Sequence, residues 1–313
     1  MNTRDVSKVF CLGCIAVAAA GLVAGYLSHI WIELDVLRHF TLHFSLAIIA
    51  CAIAYFASRP LRVPVAIVLI IAGMIGIGSW SKLSADQLQI EADVPGGARS
   101  LTVMHFNIWG RNRQLEDVAA EINRLDPDVL FLTEVSKRRQ SLIAMLDRRF
   151  PYRLPEKGRR SRSLMMYSKY PFISSSRPHP RDGLGFVRGT LGKQWSNLNI
   201  VGTHLSRPPA TEDQAREIRA MAKLVKELKG PSVVVGDFNA TPHSVLLDLF
   251  QTRTGLNRVT MLPTWPAIGP NLPQFAIDHI FISDGLTLVE PAIVGRFAGS
   301  DHLPVAASIL VPQ

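Results

Sequence analysis

Three apolar runs crowd the first eighty residues, and no other feature limits the fold as much. Residues 9–28 carry no charge over twenty positions, the length a helix needs to cross about 30 Å of hydrocarbon. The run at 41–58 holds His43 as its one acidic or basic residue, and the run at 63–80 holds none. Buried helices of a soluble domain would be shorter and keep some polar face, which these runs do not. They predict three transmembrane helices within an anchor covering residues 1–82. Arg4 and Lys8 precede the first run as they would in a secretory leader, but no cleavage site followed by polar sequence comes after it.

The flanks orient the anchor. Arg4, Lys8, Arg59 and Arg62 fall on one side of the predicted spans, against Arg38 and Lys82 on the other. That excess places the N-terminus and the second loop in the cytoplasm and everything after the third span outside, periplasmic or extracellular. The expected location is therefore the cell membrane, multi-pass, with the bilayer itself as a partner.

Beyond a polar linker at 83–99 the chain changes character. Lys and Arg match Asp and Glu at 6 each in residues 1–98 but outnumber them 28 to 19 afterwards, so the formal net charge of +9 sits entirely on the second part. A basic domain favours anionic partners such as phosphorylated ligands, nucleic acid or acidic lipid headgroups. Cys11, Cys14 and Cys51 all lie in apolar runs, which leaves residues 100–313 without a disulfide framework, a thiolate metal site or a cysteine nucleophile.

Within 100–313 short apolar runs alternate with helical patterns. Strands are predicted at 101–107, 128–134, 163–168, 186–191, 197–204, 231–239, 275–283 and 304–311, and helices at 114–125 and 137–149. A further helix begins at Thr211, where Gln214 three residues later makes a capping-box signature, and it runs through Ala215, Ile218, Met221, Val225 and Leu228 to Gly230. Strands with interleaved helices make a two-sheet α/β sandwich the expected architecture.

Polar residues punctuate the ends of these strands: Asn107, Glu134, His204, Asp237, Asn239, Asp278, Asp301 and His302. One such residue is usually a cap or turn former; eight at the ends of six apolar runs point to a site. Oxygen donors without thiolates suit a hard cation, Mg²⁺ or Mn²⁺, with Asn107, Glu134 and Asp301 as ligands. A zinc site on His204 and His302 is the weaker alternative, because no short-spaced His pair occurs. An imidazole backed by a carboxylate keeps one tautomer and is stabilised when protonated, a service Asp278 would perform for His302. Other histidines are set aside: His105 in an interior packing position off the site, His243 in a capping context after Pro242, and His179. The basic stretches EKGRRSRS at 156–163 and KRR at 137–139 read as solvated faces.

In this order the segments FNIWG, LTEV, GTHLS, GDFNATP, IDHIF and SDHLPV make the chain similar to the endonuclease/exonuclease/phosphatase, or DNase I-like, superfamily, over nearly all of residues 100–311. The resemblance implies that Asn107, Glu134 and Asp301 serve the metal and that His302 acts beside the scissile phosphate, oriented by Asp278. It further implies that Asp237 and Asn239 position nucleophile and phosphate oxygens and that His204 contacts the phosphate. Whether His302 or Asp237 accepts the proton of water stays open. The implied activity is metal-dependent hydrolysis of a phosphate ester.

Abasic-site endonucleases of the superfamily tend to carry a tyrosine segment where this chain has GTHLS, so DNA repair is disfavoured. Three spans with an exterior catalytic unit are also similar to the VanJ-type membrane phosphatases. The expected substrate is an extracytoplasmic or membrane-associated phosphate ester, a phospholipid or lipid-linked phosphate. The alternative is an anchored nuclease cleaving DNA or RNA. A catalytically silent binding scaffold is disfavoured, because none of the residues Glu134, Asp237, Asn239, Asp301 and His302 is missing.

Overall fold

The computed structural model describes residues 3–56, 71, 98–135, 139–155, 163–176, 184–267 and 275–312. The third apolar run apart from Ile71, most of the linker, the stretch 156–162, Lys137, Arg138 and His179 lie outside the described residues. Two compact units emerge, residues Met1–Ala85 together with Thr241–Asp248, and residues Asp86–Ala240 together with Leu249–Gln313.

In the first unit, helices Thr3–Tyr26 and Thr41–Phe56 pack through Ile15, Ala18, Leu22, Ile48 and Ala52. Among the described residues, only Val6–His29 is by itself long and apolar enough to cross a membrane. Thr41–Tyr55 reaches that length only together with Ile32–Arg38, from which it is bent by 52°. Among the described residues the structure therefore shows one continuous candidate span and one bent pair where the sequence predicts two spans; the third predicted span lies outside them. The reason for the bend is local: residues 32–38 form short helical turns around buried Asp35. That carboxylate accepts from Ser244 Oγ at 2.5 Å and from the backbone N–H of Val245 at 2.8 Å, which gathers Thr241–Asp248 into this unit.

The second unit is a two-sheet α/β sandwich. One sheet runs in the order β11 (Thr287–Leu288), β13 (Val305–Val311), β1 (Arg99–Asn107), β2 (Val129–Thr133), β4 (Met165–Ser168) and β3 (Tyr152–Pro155), with β12 (Ile293–Val294) also on β13. The other runs β5 (Phe172–Ser176), β6 (Phe186–Leu191), β7 (Asn199–His204), β8 (Ser232–Asp237), β10 (Asp278–Ile282) and β9 (Asn257–Arg258). Among the described residues only β1 with β2 and β7 with β8 are parallel. All eight predicted strands and the three predicted helices are present, the latter as Leu115–Leu125, Gln140–Asp147 and Thr211–Lys226.

Alternation along β1 shows how the core is divided. Leu101 and Val103 join Val129, Phe131, Ile200, Val233, Val235 and Ile280 between the sheets. Met104 and Phe106 turn the other way, onto Val118, Ile122, Leu142 and Leu146 of the two helices that cover the first sheet. The sheets meet closely: a Cβ on Gly202 would lie 2.2 Å from the Phe131 ring.

Candidate active site

Parallel pairing aligns strand ends, and antiparallel pairing sets the start of one strand beside the end of its neighbour. Asn107 ends β1 opposite Thr133, after which comes Glu134; His204 and Asp237 end β7 and β8 side by side; and Asp278, the first residue of β10, stands opposite Asp237. Asp301 and His302 lie just before β13, whose first residue Val305 pairs with His105 of β1. All eight predicted residues thus come from one end of the sandwich. Glu134 (φ 61°) and Asn239 (φ 49°) sit there in the left-handed region, a conformation that costs non-glycine residues free energy and is concentrated at functional sites.

The centre is a buried hydrogen-bond network. Asp278 Oδ2 receives the Nδ1–H of His302 at 2.8 Å and the hydroxyl of Thr264 at 2.5 Å. Its Oδ1 receives the Nε2–H of His105 at 2.9 Å. On the far side of the His302 ring, Nε2 lies 3.8 Å from Asp237 Oδ2 and 3.4 Å from Asn107 Nδ2. Asn107 Nδ2 also donates to Asp237 Oδ2 at 3.1 Å and to Glu134 Oε1 at 3.3 Å. Asp237 takes the backbone N–H of Asn239 at 2.9 Å and has His204 Nε2 at 3.5 Å. Burial alone would lower the His302 pKa, but Asp278, Asp237 and Asp301 outweigh it and push the imidazole up to about 10. Burial likewise opposes ionisation of Asp278, yet His302 and His105 hold its carboxyl well below the usual range.

The residues that the sequence assigns to a metal flank this network. Glu134 Oε2 is fixed by the N–H of Gly110 at 2.7 Å, and Asp301 Oδ2 by Trp265 Nε1 at 3.4 Å. Asp301 Oδ1 is buried with no hydrogen-bond partner among the described residues. Burial, with a further contribution from the Glu134 charge, raises the Asp301 pKa. Two carboxylates that repel one another, one with an orphaned oxygen, form a donor set that fits a hard divalent cation. Asn107 Oδ1 accepts from the N–H of Trp109 at 3.0 Å. Asp237, Asp278 and His302 also bring ligand-type atoms within 4.8 Å of one another, but both Asp278 oxygens are already taken by N–H and O–H donors.

Several supports differ from the sequence reading. His105 is interior as expected, but it stands two residues before Asn107, so alternation puts both on the same face, and it touches the site through Asp278. Gln214 does not form a capping box; it donates to the carbonyls of Phe238 at 2.9 Å and Asn239 at 3.0 Å and so holds the GDFN loop. Arg139, expected on a solvated face, is buried and donates to the carbonyls of Trp109, Gly110 and Asn112. His279 donates from Nε2 to the carbonyl of Ala240 at 2.8 Å. His243 is buried two residues before helix Val245–Thr254. His105 was legible only as a strand-interior histidine, and no sequence pattern singled out Thr264; their shared partner Asp278 comes from a different strand.

Solved structures share this fold at low identity. Sphingomyelinase C from Streptomyces griseocarneus is 18% identical, with 67% of this chain and 99% of that one covered at a TM-score of 0.51. Truncated TDP2 from Caenorhabditis elegans is also 18% identical, covering 69% and 99% at 0.56. A beta toxin variant from Staphylococcus aureus with bound magnesium ions is 18% identical, covering 67% and 99% at 0.52. No curated protein matches the sequence. Residues 104–302, more than half of the chain, match the Endonuclease/Exonuclease/phosphatase family, and on that match the chain belongs to this family of phosphoester hydrolases.

Proposed function

We propose that the site hydrolyses a phosphate ester with a divalent cation, Mg²⁺ or Mn²⁺, held by Glu134, Asp301 and Asn107. The observation that carries the reading is the His302–Asp278 hydrogen bond of 2.8 Å, which aims Nε2 at Asp237 beside the two metal-side carboxylates. The cation, when bound, neutralises charge on the phosphate oxygens. The remaining work falls to side chains. Asp278 fixes the ring and tautomer of His302. Asp237 and His302, with Oδ2 and Nε2 3.8 Å apart, flank the place where a water and a phosphorus would meet and handle the proton of that water. Asn239, whose backbone is tied to Asp237 at 2.9 Å, and His204 address the nonbridging oxygens.

The proposed substrate is a phosphate ester at the membrane or on its outer side, a phospholipid or lipid-linked phosphate. The apolar helix Val6–His29 supports anchoring, the charge bias of the flanks supports an exterior domain, and the likeness to a sphingomyelinase keeps phospholipids in view. A nuclease is the second reading, favoured by the basic balance of residues 99–313. The test is a panel of sphingomyelin, polyprenyl phosphate, DNA and RNA offered to the full chain in micelles with Mg²⁺, alongside protease digestion of a C-terminal tag on spheroplasts. Cleavage confined to lipid phosphates with a digestible tag is expected; cleavage confined to nucleic acid with a protected tag overturns the substrate and topology.

A further inference from the structure

We infer that His105 is a positioning residue: it grips the second oxygen of Asp278 and thereby fixes the carboxylate that orients His302. The inference rests on the reading of His302 and Asp278 as the acid/base pair and adds a third member to it. Asp278 comes from β10 of one sheet, whereas both imidazoles on it are attached to the other, His105 on β1 and His302 just ahead of β13.

The geometry gives each donor a distinct task. A carboxylate held at one oxygen is less constrained about its Cβ–Cγ bond than one held at both, and a turn of Asp278 would swing its Oδ2 away from His302 Nδ1 and Thr264 Oγ1. The His105 Nε2–H, 2.9 Å from Oδ1, blocks that turn. The His105 ring packs on β2, its centroid 5.6 Å from that of the Phe131 ring. His105, Asp278 and Thr264 are buried, which keeps the contact out of bulk solvent. Were His105 absent, Asp278 Oδ1 would be an unsatisfied buried acceptor, a state that drives side chains to rearrange.

The same contact aligns the two halves of the site. Asn107 and Glu134 arrive on the first sheet, and His204, Asp237 and Asn239 on the second. His105 stands two residues from Asn107 on the same face of β1, and Asp278 stands directly opposite Asp237 in the β8–β10 register. The His105–Asp278 bond thus sets the separation across which Asn107 Nδ2 reaches Asp237 Oδ2 at 3.1 Å.

The experiment uses the full chain in micelles, with His105→Phe to keep the ring volume without a donor and His105→Gln to keep a donor at similar reach. The first readout is the ring N–H resonances of ¹⁵N-histidine-labelled protein, which needs no turnover. Wild type should show protected ring N–H signals from His105 and His302; His105→Phe should remove the first and move the second, and His105→Gln should return the second toward its wild-type position. The second readout is hydrolysis of bis(4-nitrophenyl) phosphate with Mg²⁺, measured below the unfolding transition of each variant. His105→Phe should lower kcat about 10-fold or more with a much smaller change in KM, and His105→Gln should recover most of it. An unmoved His302 signal in His105→Phe overturns the inference, as does an unchanged kcat. Failure of wild type to cleave any phosphate ester would instead strike the proposed function, and the resonance test would still decide the role of His105.

Discussion

Asp237 and Asp278 stand directly opposite one another on antiparallel β8 and β10, yet their carboxylates serve different neighbours. Like charges so placed destabilise a sheet. Here Asp278 is surrounded by His302, His105 and Thr264, and Asp237 by Asn107, Asn239 and His204. The arrangement sets two carboxylates on neighbouring strands, with Nδ1 of the His302 ring on Asp278 at 2.8 Å and its Nε2 3.8 Å from Asp237.

That division of labour predicts a pattern of non-additivity. His302→Ala should lower turnover on the order of 10²-fold or more, and Asp278→Asn should lose a large part of the same effect. The double variant should be little worse than His302→Ala alone, because residues acting as a unit do not add. Steady-state kinetics of the three variants check it; losses that multiply independently would break the proposed pair.

The pH dependence of stability should carry a signature of His279. Burial lowers its pKa to about 3, with Arg258 adding to the effect, against an ordinary value of 6.5. Below the ordinary value the unfolded chain binds a proton that the folded chain does not. Stability from this group is therefore complete above about pH 6.5 and declines by about 1.4 kcal/mol per pH unit toward pH 3. Denaturant titrations between pH 4 and 7 should show a shallower slope in His279→Gln than in wild type; equal slopes would contradict the buried neutral imidazole.

Gly236 precedes Asp237 at φ 152°, and a Cβ there would lie 1.9 Å from the carbonyl oxygen of Thr203. The backbones of β7 and β8 cannot yield without moving His204 away from Asp237. Gly236→Ala should cost about 2 kcal/mol or more and lower kcat as well, measured by chemical unfolding and initial rates. A variant of wild-type stability and activity would show that the strand ends tolerate displacement.

Much of this was legible because the site is written at strand ends. The runs 101–107, 128–134, 197–204 and 231–239 each end in, or just before, a polar residue of the network, and the order of FNIWG, LTEV, GTHLS, GDFN, IDHIF and SDHLPV carries the family. What the sequence hid are contacts across the sandwich. His105 looks like any strand-interior residue until β10 is placed opposite it, and Gln214 satisfies a local capping pattern while its amide is used by the GDFN loop. Arg139 sits in a basic cluster, but the carbonyls of Trp109, Gly110 and Asn112 draw it inward. In residues 1–82, hydropathy marks apolar length but not the turns around Asp35, which leave Val6–His29 as the one continuous candidate span among the described residues.

The most direct test is the metal dependence of phosphoester hydrolysis by the purified full chain, wild type against Glu134→Gln. Glu134→Gln removes a charged oxygen donor at nearly constant volume, so circular dichroism and the unfolding transition should stay close to wild type. Wild type should hydrolyse its phosphate ester with Mg²⁺ or Mn²⁺, lose the activity in excess EDTA and regain it when the cation is restored. The variant should be inactive at ordinary cation concentration. Full activity of the chelated wild type, or of Glu134→Gln at ordinary cation concentration, would contradict the account.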